Sequence, residues 1–130
     1  MLLSPVLPAA LACPKCGGTM PRVTSDLAQA WRCDDCHGLW LAATADEALE
    51  DTAAHIDTGP ERTDIPLDSA GTLECPACTH HQLIRMVDVA HPEIAFESCK
   101  SCYGRYYDAG EFRDASERDW MDALLDRLFG

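Results

Sequence analysis

The sequence predicts a small α+β protein that depends on bound metal, built from two successive β-hairpin units and a C-terminal amphipathic helix. All eight cysteines fall into four Cys-x-x-Cys pairs, and a two-residue gap suits tetrahedral metal chelation. The chain of 130 residues leaves each unit only about 30–45 residues, near the length at which an apolar core rarely suffices without a metal. The predicted metal ligands are Cys13, Cys16, Cys33, Cys36, Cys75, Cys78, Cys99 and Cys102.

Two zinc ions are the predicted cofactors, one for each set of four cysteines. Four thiolates around a zinc ion make a closed structural site with no position for a reactive water. Disulfides and iron are the alternatives for the same cysteines. A dithiol oxidoreductase is a further alternative, but Gly17 and Gly18 directly after the first pair disfavour the helix start that such a site needs.

We expect a protein that is not an enzyme. No Ser-His-Asp set, phosphate-binding loop or paired-carboxylate motif is recognisable in the sequence. We therefore predict no catalytic residues. Because the cysteines are interpreted as reduced metal ligands, we expect a cytoplasmic location.

Acidity is the most informative feature of the composition. The chain has 22 acidic against 10 basic residues, a formal net charge of −12, and the charge becomes about −16 once two four-thiolate zinc sites are counted. This balance disfavours nucleic acid, because phosphate neutralisation drives such binding. It is compatible with a basic protein partner or with solubility alone. No run approaches the ~18 apolar residues that span a bilayer, so no membrane association is expected.

The first unit begins with an apolar arm, residues 1–12, in which two prolines disfavour a helix and a signal peptide. Short strands are predicted at 20–23 and 27–32, between the two cysteine pairs. A short helix is predicted over 44–54, where Thr44 and a glutamate three residues later fit a capping box.

The second unit has predicted strands at 82–89 and 94–98. Asp108 and a glutamate three residues later predict a cap for a short helix ending near residue 115, and a final helix is predicted over 117–129. The predicted domains are residues 1–54, a linker at 55–72, and residues 73–130.

An apolar stripe runs along the final helix at spacings of three and four residues. Trp120, Leu124 and Leu128 are the candidate interaction residues of this stripe. The stripe either packs against the two hairpin units or docks on another chain, with self-association as one form of docking. Aromatic residues after the closing cysteine pairs, among them Trp40 and Tyr106, either pack against the metal sites or stack on bases.

Both halves resemble the bacterial and archaeal zinc ribbons of the transcription-factor-IIB (TFIIB) type. The shared pattern is Cys-Pro-x-Cys, a hairpin, and then Cys-x-x-Cys-x-Gly-x-aromatic-x-Asp-x-Gly-Glu. The second half matches it throughout, ending in Asp108, Gly110 and Glu111. The first half departs where Ala42, Thr44 and Ala45 replace the acidic end. The resemblance implies two tandem zinc ribbons, bound zinc and a role without catalysis, and the family name suggests transcription.

The sequence-based hypothesis is a protein-interaction adaptor or a small subunit of a larger assembly, which uses the acidic surface and the C-terminal helix. Its partner would be another protein, basic in charge, or a second copy of the chain. The alternatives are a nucleic-acid-associated or transcription-related ribbon and a redox- or metal-responsive switch.

Overall fold

The computed structural model describes residues 9–24, 29–49, 52–59, 73–78, 81–89, 92 and 94–129, and only the backbone of residues 47, 54, 118–120 and 123 within them. The strands of this part of the chain are β1 Ala10–Ala12, β2 Thr19–Pro21, β3 Ala30–Arg32, β4 Leu39–Leu41, β5 Leu83–Val87, β6 Ala95–Cys99 and β7 Arg105–Tyr107. Its helices are α1 Ala45–Ala48, α2 Ala53–Ile56 and α3 Glu111–Phe129.

The two halves of the chain share one antiparallel sheet. β1 and β2 form a separate two-stranded hairpin, and the larger sheet has the order β3-β4-β7-β6-β5. The central pair is β4 from the first half against β7 from the second, with Trp40 directly opposite Tyr106. The predicted α+β class with two ribbons and a C-terminal helix is confirmed.

The two faces of this sheet bury different groups, because side chains alternate along a strand. Leu39 and Leu41 of β4 face the helices and pack in one cluster with Phe112 of α3. Trp40, between them, faces the other side and packs with Tyr106 among the cysteines. All three residues of β4 are buried, as expected for a central strand covered on both faces.

The helix predicted over 44–54 is two short helices, α1 and α2, and its predicted capping box is wrong. Thr44 adopts a left-handed backbone conformation with φ of 64°, and its side chain makes no cap bond to the helix. Its hydroxyl donates instead to the carbonyl oxygen of Ala43. Thr44 stands at the position that corresponds to Gly110 in the second half, so both repeats have a left-handed residue there but only the second has a glycine.

The C-terminal segment forms one continuous helix, so the predicted break near residue 115 is wrong. Phe112 and Ala115 are buried on the same face, and their packing continues the helix through Ser116, where a new start was predicted. The Asp108 carboxylate, the predicted cap, accepts from the Lys15 ammonium.

The cap of α3 comes from Asp57, which lies just after α2. Its side chain is fully buried, and its two carboxylate oxygens accept from the backbone N–H groups of Gly110 at 2.8 Å and Arg113 at 2.9 Å. The Arg113 guanidinium also donates to the Asp57 carbonyl at 2.8 Å. Burial raises the pKa of Asp57, and the two N–H donors act in the opposite direction. This acceptor satisfies the otherwise unpaired donors at a helix N-terminus.

The start of the predicted linker is therefore packed. Residues 55–59 include the end of α2 and the Asp57 cap, whereas residues 60–72 lie outside the described part of the chain. The division of the chain into residues 1–54, 55–72 and 73–130 stays a prediction.

Replacing Asp57 with asparagine is expected to lower the free energy of unfolding by about 2 kcal/mol, because an amide NH₂ group would then face a backbone donor. Chemical denaturation of the zinc-loaded protein, followed by far-UV circular dichroism, measures this change. The matched control is Asp126→Asn on the exposed end of α3, which removes the same charge and should change the free energy by less than about 0.5 kcal/mol. Equal denaturation midpoints for the two variants would contradict the capping role.

Candidate metal centres

The structure brings all eight predicted ligands together in two clusters of four. The first site joins the pair after β1 to the pair after β3, and the second site joins the pair at 75–78 to the pair that begins at the end of β6. Within each cluster the four sulfurs lie within 4.8 Å of one another. The cysteines form no disulfide.

The sulfur spacing fits a tetrahedral zinc ion. Zinc–sulfur bonds of ~2.3 Å place the sulfurs of a tetrahedron about 3.8 Å apart. Cys13 and Cys36 sulfurs are 3.7 Å apart in the first site, and Cys75 and Cys102 sulfurs are 3.7 Å apart in the second. The prediction of two zinc ions is confirmed, and the eight cysteines are the residues that would hold them.

Backbone amides point at the sulfurs, as expected where thiolate charge has to be stabilised. The Gly18 N–H lies 3.4 Å from the Cys16 sulfur, and the Gly38 N–H lies 3.4 Å from the Cys36 sulfur. In the second site the Cys78 N–H donates to Cys75 at 3.3 Å and the Ser101 N–H to Cys99 at 3.4 Å. His37 and Tyr103 follow the closing cysteines with left-handed backbones, which turns the chain around each site.

The thiols of the first site share protons unevenly. The hydrogen bond to Cys36, together with burial, raises the pKa of Cys13, and the same hydrogen bond lowers the pKa of Cys36 to about 4. Four sulfurs this close favour binding of a divalent cation, which replaces the shared protons.

Two of the aromatic residues after the closing pairs, Trp40 and Tyr106, are buried and connect the repeats to each other. Trp40 and Tyr106 are 1% and 0% exposed, so they are packing residues and present no surface for base stacking. A Cβ atom at Gly38 would overlap the Tyr106 hydroxyl, and a Cβ atom at Gly104 would overlap the Trp40 ring. The Gly-x-aromatic motif of each repeat thus accommodates the aromatic ring of the other.

Lys15 forms ion pairs that connect the first site to the second repeat. Its ammonium lies 2.9 Å from carboxylate oxygens of both Glu97 and Asp108, and these three side chains are largely buried. Arg85 reaches Glu97 from β5 at 3.2 Å. Sequence reasoning missed Lys15, Glu97 and the Asp57 cap, because their partners are far away along the chain and no motif marks them.

The candidate interaction residues lie on the second half of α3. Leu124 is 39% exposed and Leu128 is 64% exposed. The backbone of Trp120 is helical, but its side chain is outside what the structure describes. Within the described residues, the end of the stripe is therefore on the surface.

Comparison with known protein families finds a match to one segment of the chain. Residues 12–50 match the TFIIB-type zinc ribbon, described as a transcription factor zinc-finger. The predicted resemblance is confirmed by this match and by the second four-cysteine cluster. No curated protein and no solved structure matches the chain. No helix in the described part of the chain is both long and apolar enough to cross a membrane.

Adding a methyl group at Gly38 or Gly104 is expected to lower the free energy of unfolding by roughly 3 kcal/mol, because a buried aromatic ring has to move. Gly17→Ala is the matched control: this glycine has φ of 77° but nothing within 4 Å of a new Cβ, so only the backbone cost of roughly 1 kcal/mol remains. Denaturant titration in zinc-containing buffer measures all three. Equal losses at Gly38 and Gly17 would contradict the inter-repeat contact.

Proposed function

We propose that this chain, which carries a TFIIB-type zinc ribbon at residues 12–50, is a protein-interaction adaptor or small subunit without catalytic activity. In this proposal the two zinc sites hold the sheet together, and the sheet holds α3. The second half of α3 then binds an apolar groove, rimmed by basic residues, on a different protein.

The observation that carries the proposal is the exposed apolar face of α3. The exposed side chains recur at spacings of three and four residues and so lie along one side of the helix. An amphipathic helix of this kind typically binds in a hydrophobic groove of a partner. The exposed residues are Met121, Leu124, Leu125, Leu128 and Phe129.

Charge favours a basic partner over a second copy of the chain. Acidic residues flank the apolar face, among them Glu117, Asp122 and Asp126, and the whole chain carries a net charge of −12. Two copies would therefore repel each other, whereas lysine and arginine residues around a groove would attract α3 and increase the rate of association.

Several basic side chains are already bound within the chain, which further supports a protein partner. Lys15 and Arg85 contact Glu97. Arg105 contacts Asp46 at 3.2 Å, and Arg113 donates to a backbone carbonyl. These groups are poorly placed to neutralise phosphates, on which nucleic-acid binding depends.

The absence of catalysis is supported by the chemistry of the two sites. Each cluster offers four thiolates to one metal ion. Such a site has no open coordination position at which a water or substrate could be activated.

We expect Leu128→Glu to abolish partner binding, because it places a charge within the apolar surface of the proposed contact. Val89→Glu is the matched control, since Val89 is 97% exposed outside α3 and the substitution adds the same charge. The wild type and both variants are crosslinked in the native host, and the proteins captured by each are compared. The partner is then purified, and its affinity for each of the three chains is measured by titration. The proposal requires a basic partner that is lost only with Leu128→Glu. A wild-type dimer in sedimentation that Leu128→Glu separates would assign the face to a second copy and overturn it.

A transcription-related ribbon that contacts nucleic acid is the second candidate, and the family match at residues 12–50 is what favours it. A mobility-shift titration at low salt separates the two candidates, because non-specific binding by a basic surface is strongest there. We expect no shift of duplex or single-stranded nucleic acid at tens of micromolar protein. A shift that weakens steeply with added salt would favour this second candidate.

A further inference from the structure

We propose that the Tyr106 hydroxyl is a hydrogen-bond donor to the zinc-binding sulfurs of the first site and makes this site release zinc more slowly than the second. The residue belongs to one repeat, and the sulfurs it contacts belong to the other. Tyr106 is thus a positioning residue that links metal retention in the first repeat to the fold of the second.

The geometry places one hydroxyl between two ligands of the same metal ion. The Tyr106 oxygen lies 3.5 Å from the Cys13 sulfur and 3.4 Å from the Cys36 sulfur. Tyr106 is 0% exposed, and its strand pairs with β4 through Trp40. The missing side chain of Gly38 leaves the space that the hydroxyl occupies. A hydroxyl buried this deeply needs a hydrogen-bond partner, and the two sulfurs are its partners.

The second site has no equivalent donor among the residues that the structure describes. The corresponding aromatic is Trp40, whose ring packs over Gly104 and carries no hydroxyl. In this part of the chain, the sulfurs of the second site contact one another, and their other hydrogen-bond donors are backbone N–H groups, such as those of Cys78 and Ser101. The two sites therefore have the same ligands but different surroundings.

A hydroxyl that donates to a thiolate draws charge away from the sulfur. The sulfur is then a weaker base and a weaker nucleophile, so protonation or attack by an electrophile, which frees a ligand, becomes slower. Opening the first site also requires movement of Lys15, which Glu97 and Asp108 hold at 2.9 Å. Both effects act on the first site alone, so zinc is expected to leave the second site first.

Zinc transfer from the full-length, zinc-loaded chain to an excess of a chromogenic chelator tests this order. Samples are taken at several times during the transfer and alkylated briefly. Peptide mass spectrometry then shows which cysteines have lost their metal. We expect two phases, with Cys75 and Cys99 alkylated in the fast phase and Cys13 and Cys36 in the slow one. Tyr106→Phe should accelerate the slow phase about tenfold and leave the fast phase unchanged.

Tyr107→Phe is the matched control. Tyr107 is the next residue on β7, its hydroxyl accepts from Arg105 at 3.3 Å, and it packs on the opposite face of the sheet. This variant should leave both phases unchanged. Equal acceleration of both phases by Tyr106→Phe would indicate general loosening and overturn the proposal, as would an unchanged slow phase. The wild-type order is a test that needs no variant: alkylation of the first site before the second also overturns it.

Discussion

The antiparallel pairing of β4 with β7 is the contact on which the rest of the structure depends. A ribbon of about 40 residues is too small to bury a core of its own, and each repeat supplies only short strands. Joined through Trp40 opposite Tyr106, the repeats form one sheet with a buried cluster on each face. The exchange of aromatic rings over Gly38 and Gly104 fixes the register of this pairing, because a shift of one residue would put each ring against a side chain.

Zinc and the shared sheet stabilise different parts of the structure. Four sulfurs close each turn locally, which a short segment cannot do through packing alone. Contacts between the repeats then distinguish the two sites, since Lys15 and Tyr106 reach across at the first site. Buried ion pairs such as Lys15 with Glu97 are weak evidence for stability, because desolvation offsets much of their attraction. These ion pairs instead orient the first site relative to the second repeat, because Glu97 and Asp108 hold Lys15 between them.

The cysteine spacing predicts the metal sites because chelation is a local constraint, written in residues only two positions apart. Pairing between the repeats joins residues that are far apart in the sequence, so no local pattern predicts that β4 lies beside β7. The same limit explains the missed cap. Asp57 caps a helix that starts at Glu111, whereas sequence rules for helix caps consider only residues within about three positions of the helix start. The cap predicted at Thr44 fails because of its local backbone. Threonine is a suitable residue type for a cap, but the left-handed backbone at Thr44 turns its side chain away from the helix.

The dependence of α3 on the sheet bears on how it can bind. Its first half is held by Phe112 and Ala115 in the core and by Asp57 at its start, while its second half carries exposed apolar side chains. An isolated helix of this length is marginal in water. Anchoring one end nucleates the helix, so in the proposed complex the exposed end would already be ordered and would lose less conformational entropy on binding. Loss of zinc would disturb the sheet, then α2 and the Asp57 cap, and through them α3, although none of the cysteines of the two metal sites belongs to that helix.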